Sequence, residues 1–224
     1  MTTLSTATAV PFRANRTLHL LCLAFAIWLL YTAARPEVVF DFWLENVLTL
    51  SFAAILAATY RRLALSDLSY ALIVVFLILH EWGAQYKYSD VPLGEWMKPL
   101  LGTTRNHYDR IMHFAYGLML AYPMQEWFVR SAGVRDGFRY FLPIQFTLAC
   151  SAVYEMMEAF MAAVLSPQRG EEFVGMQGDI WDAQKDMFLA TLGAMITMAA
   201  LAWVRARKPA EAPLHARAAS GVRL

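Results

Sequence analysis

The sequence predicts an all-α fold, a polytopic membrane helical bundle of about six transmembrane helices with both termini cytoplasmic. Three observations carry this reading. Hydrophobic residues make up 58% of the 224-residue chain, and charged residues only 17%, below the roughly 25% usual in soluble domains. The mean hydropathy is +0.40. Apolar runs close to the ~20 residues that cross a bilayer recur along the chain. They are continuous rather than alternating, which selects helices over a barrel.

Residues 1–16 are polar and are expected to form a disordered tail ending in Arg13 and Arg16. The first span runs from about Thr17 to Ala33. A signal peptide is the rival reading, because Thr32-Ala33-Ala34 loosely resembles a cleavage site. The apolar run is long for a signal core, so a retained helix is preferred. Pro36 to Asp41 form a short connection to a second span, about Phe42 to Tyr60, capped by Arg61-Arg62. The third span, about Leu68 to Trp82, ends in His80-Glu81. A loop from Gly83 to His107 follows, rich in Tyr, Trp, Gly and Pro. The fourth span is about Tyr108 to Val129, with Pro123 as an expected kink, and the fifth is about Phe138 to Leu165. A polar loop, Ser166 to Gly178, leads to the sixth, about Asp179 to Val204. The membrane domain thus occupies 17–205, and 206–224 form a second disordered tail.

Orientation follows from the positive-inside rule. One set of connections carries Arg13, Arg16, Arg61, Arg62, Arg130, Arg135, Arg139, Arg205, Arg207, Lys208, Arg217 and Arg223. The other carries fewer cations, mixed with acids. The first set is expected in the cytoplasm, and the two longer loops outside.

The acids then gather at one depth. Asp109 and His113 open the fourth span, four residues apart and so on one helical face. His80-Glu81 close the third, Glu155 and Glu158 lie in the outer half of the fifth, and Asp179, Asp182 and Asp186 open the sixth. At 1.5 Å per residue, all fall within roughly 15 Å of the outer boundary. Only Glu126 breaks the pattern. Against seven carboxylates stand Arg110 and Lys185, leaving roughly −5 if all ionise, which a low-dielectric region does not hold uncompensated. Protonation, bound divalent cations or water must balance it.

Carboxylates with imidazole suit Zn²⁺, Mn²⁺, Fe or Mg²⁺, and ligands from facing helices can build such a centre. The expected ligand or acid–base groups are Asp109, His113, Glu155, Asp182 and Asp186, with Glu158, Asp179, His80 and Glu81 as supporting ligands. Arg110 and Lys185 would hold an anionic substrate or orient carboxylates. A divalent metal, of unknown identity, would activate water against an envelope lipid or lipid-linked phosphate. The alternatives are a proton- or cation-coupled transporter and a non-catalytic scaffold.

Each residue also has a structural reading. Asp109, Asp179 and Asp182 stand at helix starts, where carboxylates cap. Arg110 and Lys185 can snorkel or pair, and His113 can be a satisfied core histidine. Glu155, mid-span, is hardest to dismiss. Trp82, Tyr86, Trp96 and Trp181 read as interfacial belt residues, and Gly117 and Gly193 as close-packing positions. Cys22 and Cys150 lie in apolar runs, so neither a disulfide nor a thiolate site is expected. The +1 net charge and the lack of a basic stripe argue against nucleic acid.

The stretch Arg105-Asn106-His107-Tyr108-Asp109-Arg110 with His113-Phe114, then Tyr154-Glu155, then Gly178-Asp179-Ile180-Trp181-Asp182-Ala183-Gln184-Lys185-Asp186-Met187, resembles the YjdF-like family. That family comprises bacterial inner-membrane proteins with a domain of unknown function. The likeness covers about residues 20–205 and implies a multi-pass protein of the bacterial inner (plasma) membrane. A weaker likeness reaches VanZ-like proteins through Asp109-Arg110 with His113-Phe114, Glu155, and Asp186 before Gly193-Ala194. Arg110 stands there where Lys is commoner. This implies a shared scaffold, and a scaffold does not fix function.

Overall fold

The computed structural model describes residues 11–165 and 175–207. The expected tails, beyond 11 and 207, and most of the second loop lie outside these residues. A 3₁₀ turn at Phe12–Ala14 precedes α1 (Arg16–Ala33), so the tail expected to reach residue 16 has structure at its end. Asn15 caps α1 by accepting from Leu18 N at 3.0 Å. There follow α2 (Val39–Thr59), α3 (Asp67–Gln85), α4 (Pro92–Leu101), α5 (Tyr108–Ser131), α6 (Phe138–Val164) and α7 (Asp182–Ala206). The described residues contain helices and no strand, in keeping with the all-α expectation.

Two boundaries differ from the sequence reading. The loop expected over 83–107 contains α4, begun by Pro92 in the first turn and ended by Gly102 in the left-handed region, φ 62°. The last span begins at Asp182 rather than Asp179.

Five helices, α1, α2, α3, α6 and α7, are long and apolar enough to cross a membrane. The sixth expected span, α5, has the length but carries Asp109, Arg110, His113, Glu126 and Arg130. It lies against α3, α6 and α7, its most extensive contact being with α7. Those neighbours shield its polar residues, which is how ionisable groups are tolerated at such depth.

Contacts define the directions of the helices. At one face Asn15 Nδ2 meets Asp67 Oδ1 at 3.4 Å, Ser66 N donates to Glu126 Oε1 at 2.9 Å, and Arg205 donates to Gln125 Oε1 at 3.3 Å. At the other, Glu37 N donates to Gln85 O at 2.9 Å, and Arg105 pairs with Asp182. The six long helices therefore alternate in direction, and residues 15 and 205 share a face. Because α6 intervenes, α5 and α7 run parallel.

Glycines let α5 and α7 meet closely. A Cβ on Gly117 would stand 1.8 Å from Ala190 O, and one on Gly193 would stand 2.3 Å from Phe114 O. Both are the close-packing positions the sequence suggested. Glu126, the acid that broke the pattern, anchors the opposite face. It accepts from Ser66 N, Ser66 Oγ and Ser69 Oγ at the start of α3, and from Arg130 Nη1 at 2.6 Å.

Candidate functional site

Asp109 opens α5, and His113 follows one turn later on the same face. The parallel start of α7 brings Asp186 to them. One ligand atom from each of Asp109, His113 and Asp186 lies within 4.8 Å of the others. His113 Nε2 is 3.6 Å from Asp109 Oδ1 and 3.4 Å from Glu155 Oε1, which reaches in from antiparallel α6. Asp186 is 2% exposed and Glu155 9%. Asp186 Oδ1 is buried without a hydrogen-bond partner, whereas Glu155 Oε1 has the His113 ring beside it. Burying a carboxylate oxygen unpaired is costly.

The remaining expected residues fall into two groups around this centre. Asp182 sits between two arginines, with Arg105 Nη2 at 2.6 Å and Arg110 Nη2 at 3.3 Å from its Oδ1. Asp179 takes the other contact of Arg110 and the Lys185 ammonium. Arg110 and Lys185 are thus both paired with carboxylates. Lys185, helped by the Trp181 N–H and Arg110, holds the Asp179 carboxyl well below the usual carboxylate range. Glu158 lies beside Glu155 and Tyr154 on α6.

His80 and Glu81 are turned elsewhere. The Tyr88 hydroxyl bonds His80 Nδ1, and Asn46 Nδ2 donates to Glu81 Oε2 at 3.0 Å. Neither shares the close Asp109–His113–Asp186 grouping.

Sequence reading passed over four contributors. Glu45 of α2, 8% exposed, accepts from the Tyr154 hydroxyl at 3.1 Å, and the Tyr154 ring stands edge-on to His113 at 5.9 Å. Asn46, the residue after it, is wholly buried. Arg105, named only within the family-like stretch and given no role, is 8% exposed and also donates to the carbonyls of Met176 and Gly175. Asn106 joins the same clamp. Its N donates to Gln177 Oε1 at 2.8 Å, and its O accepts from Gln177 Nε2 at 3.1 Å. Its Oδ1 accepts from Tyr108 N at the start of α5. The one available signal for Glu45 was an acid seven residues into an apolar helix.

Of the expected belt residues, Trp96 and Trp181 are exposed. Trp82 and Tyr86 instead pack on Val91, Tyr108 and Met112.

Long apolar helices around a buried, acid-rich interior define a multi-pass integral membrane protein. The chain belongs to the family described as predicted membrane protein (DUF2238), whose model matches residues 16–207. It is 37% identical over 187 residues to the inner membrane protein YjdF of Escherichia coli (strain K12), covering 83% of this chain and 89% of that protein. A multi-pass location in the inner membrane follows from this relationship. No solved structure matches the chain.

Proposed function

We propose that Asp109, His113 and Asp186 hold a divalent metal ion, with Glu155 as a fourth ligand or as the base beside it. The observation that carries this reading is the convergence of the three donors within 4.8 Å. In a tetrahedral site with bonds of about 2.1 Å the donor atoms stand about 3.4 Å apart, so donors within 4.8 Å of one another would have to draw in by up to about 1.4 Å to close on an ion. The unpartnered Oδ1 of Asp186 supplies what an ion would satisfy. Two carboxylates and an imidazole suit Zn²⁺, Mn²⁺, Fe or Mg²⁺.

Such an ion supplies a water activated for attack and a Lewis acid for a phosphoryl oxygen. The chain's own residues would fix its ligands and exclude bulk water. Arg105 and Arg110 hold Asp182 at the edge of the centre, and Asp179 and Lys185 extend that edge outward. By the positive-inside rule the face with Arg61, Arg62, Arg130 and Arg205 would be cytoplasmic, which would put the centre toward the periplasmic side. The function this supports best is hydrolysis or group transfer on an envelope lipid or lipid-linked phosphate.

Metal analysis of protein purified without chelator tests the reading. It expects about one ion per chain in the unmodified protein, and loss in Asp186→Ala and His113→Ala that remain monodisperse. Metal-free protein that binds none of these ions on titration would overturn it.

A second reading, a proton- or cation-coupled transporter, is favoured by the buried acids beyond the centre, Glu45 and Glu81. It expects cation flux in vesicles that Asp182→Asn abolishes.

A further inference from the structure

The short helix α4 turns an apolar stripe outward beside a partly exposed ion pair. Lys98 Nζ and Glu95 Oε1 pair at 2.6 Å, with 28% and 41% of the two side chains exposed, and Glu95 also accepts from Asn106 Nδ2 at 2.8 Å. Leu93 packs on the Val91–Tyr108–Met112 cluster. Gly94 lies so close to Asn106 that a Cβ would meet its Oδ1 at 1.6 Å. What faces outward is Trp96, Leu100 and Leu101, at 68%, 82% and 58% exposure.

Ten residues at 1.5 Å each make α4 about 15 Å long, half the ~30 Å hydrocarbon core. It cannot cross. It joins the ends of α3 and α5, so it sits level with the boundary those helices reach. Ile180 and Trp181, also outward, lie at the same end, because Gln177 is tied to Asn106. Like the spanning helices, they expose large apolar side chains. Water would leave these unsatisfied.

We propose that α4, with Ile180 and Trp181, forms a collar seated in the headgroup–acyl boundary of the outer leaflet, and that its partner is bilayer lipid. Tryptophan with leucine on a helix too short to span is the composition of an interfacial helix. The collar lies at the face that carries Asp109, His113 and Asp186, and the inference does not depend on whether they hold a metal.

Site-directed spin labelling tests it. With Cys22→Ala and Cys150→Ala as background, single cysteines replace Trp96, Leu100 and Ile180. Asp90→Cys gives an aqueous reference and Leu30→Cys a lipid-facing one. The protein is placed in vesicles of phosphatidylethanolamine and phosphatidylglycerol. The expected oxygen-to-nickel-chelate accessibility ratio at all three collar positions exceeds that at 90 by about threefold or more, approaching that at 30. A ratio equal to that at 90 would overturn the proposal. So would spin–spin broadening that disappears on dilution with unlabelled chain, which would assign the face to a second copy. Hydroxyl-radical footprinting of the unmodified protein provides the same decision without substitutions. Protection of Trp96 and Trp181 in vesicles supports the collar, and oxidation as fast as in a free peptide refutes it.

Discussion

Arg105 Nη2 lies 2.6 Å from Asp182 Oδ1, with 8% and 5% of the two side chains exposed. Removing one partner of a buried ion pair costs about 3–5 kcal/mol where the other charge is left uncompensated, and less here because Arg110 Nη2 still stands 3.3 Å from Asp182 Oδ1. Arg105→Ala should therefore lower the melting temperature in detergent markedly. Arg105→Lys should recover only part of the loss, since the fork also reaches the Met176 and Gly175 carbonyls. A melting curve for Arg105→Ala that overlays the parent's would show the pair to be unimportant.

The approach of α5 and α7 gives a steric prediction. Gly117→Ala and Gly193→Ala must push backbone against backbone, and overpacking of this kind costs about 1–3 kcal/mol. Gly137→Ala, with nothing within 4 Å of its Cβ, serves as the control. Thermal unfolding and gel filtration of the three variants should separate the first two from the third.

Glu126 should act as a clasp rather than a catalyst. Glu126→Ala leaves the Ser66 N–H and both serine hydroxyls without their acceptor, and loss of such a cap costs about 1–2 kcal/mol. The expected result is lower stability with unchanged metal content. Loss of metal at unchanged stability would point to a different role.

Asp179 sets a pH dependence. Its folded-state carboxyl titrates below the usual range because Lys185 and Arg110 favour the charged form. The sign follows: the stabilisation is fully present above the unfolded value of about 3.9 and fades as pH falls through the lower folded value. Hydrogen exchange over residues 175–181 should therefore stay protected at pH 5 and rise only as pH drops below about 4. Asp179→Asn should abolish that acid-dependent step. An unchanged profile in the variant would dismiss Asp179 as its source.

Within the centre itself, the readouts should be graded. Asp186→Ala should eliminate metal binding, while Glu155→Gln, which keeps the shape and one oxygen, should weaken it about 10–100-fold, as supporting contacts do. Calorimetric titration with Zn²⁺ and Mn²⁺ measures both. Equal affinities in all three proteins would place any ion elsewhere.

Much of the frame was legible in advance, because apolar runs bounded by arginine pairs are a one-dimensional signal. The bounds of α1, α3 and α6 fall within a few residues of the expected spans. The same logic recovered Asp109, His113, Glu155 and Asp186 as candidates, since an acid inside a span is rare whatever surrounds it. It failed where partners are set by tertiary contact. His80 and Glu81 share the depth of the centre but face Tyr88 and Asn46, a matter of helix rotation that depth cannot predict. Arg105 looked like a loop charge because nothing local reveals that Asp182, 77 residues on, will cover it. The helix α4 was hidden in a loop rich in aromatics, although Pro92 and Gly102 mark its two ends.

The parallel contact of α5 and α7 has a bearing on biogenesis. A nascent chain that has inserted everything through α6 carries Asp109 and His113 on a flank that α7 has yet to fill. Only when α7, from Asp182 onward, leaves the translocon do Gly117 and Gly193 interlock and Asp186 arrive. Assembly of the acidic centre thus waits on α7, and a product truncated before it would be a set of inserted helices with Asp109, His113 and Glu155 lacking their partner.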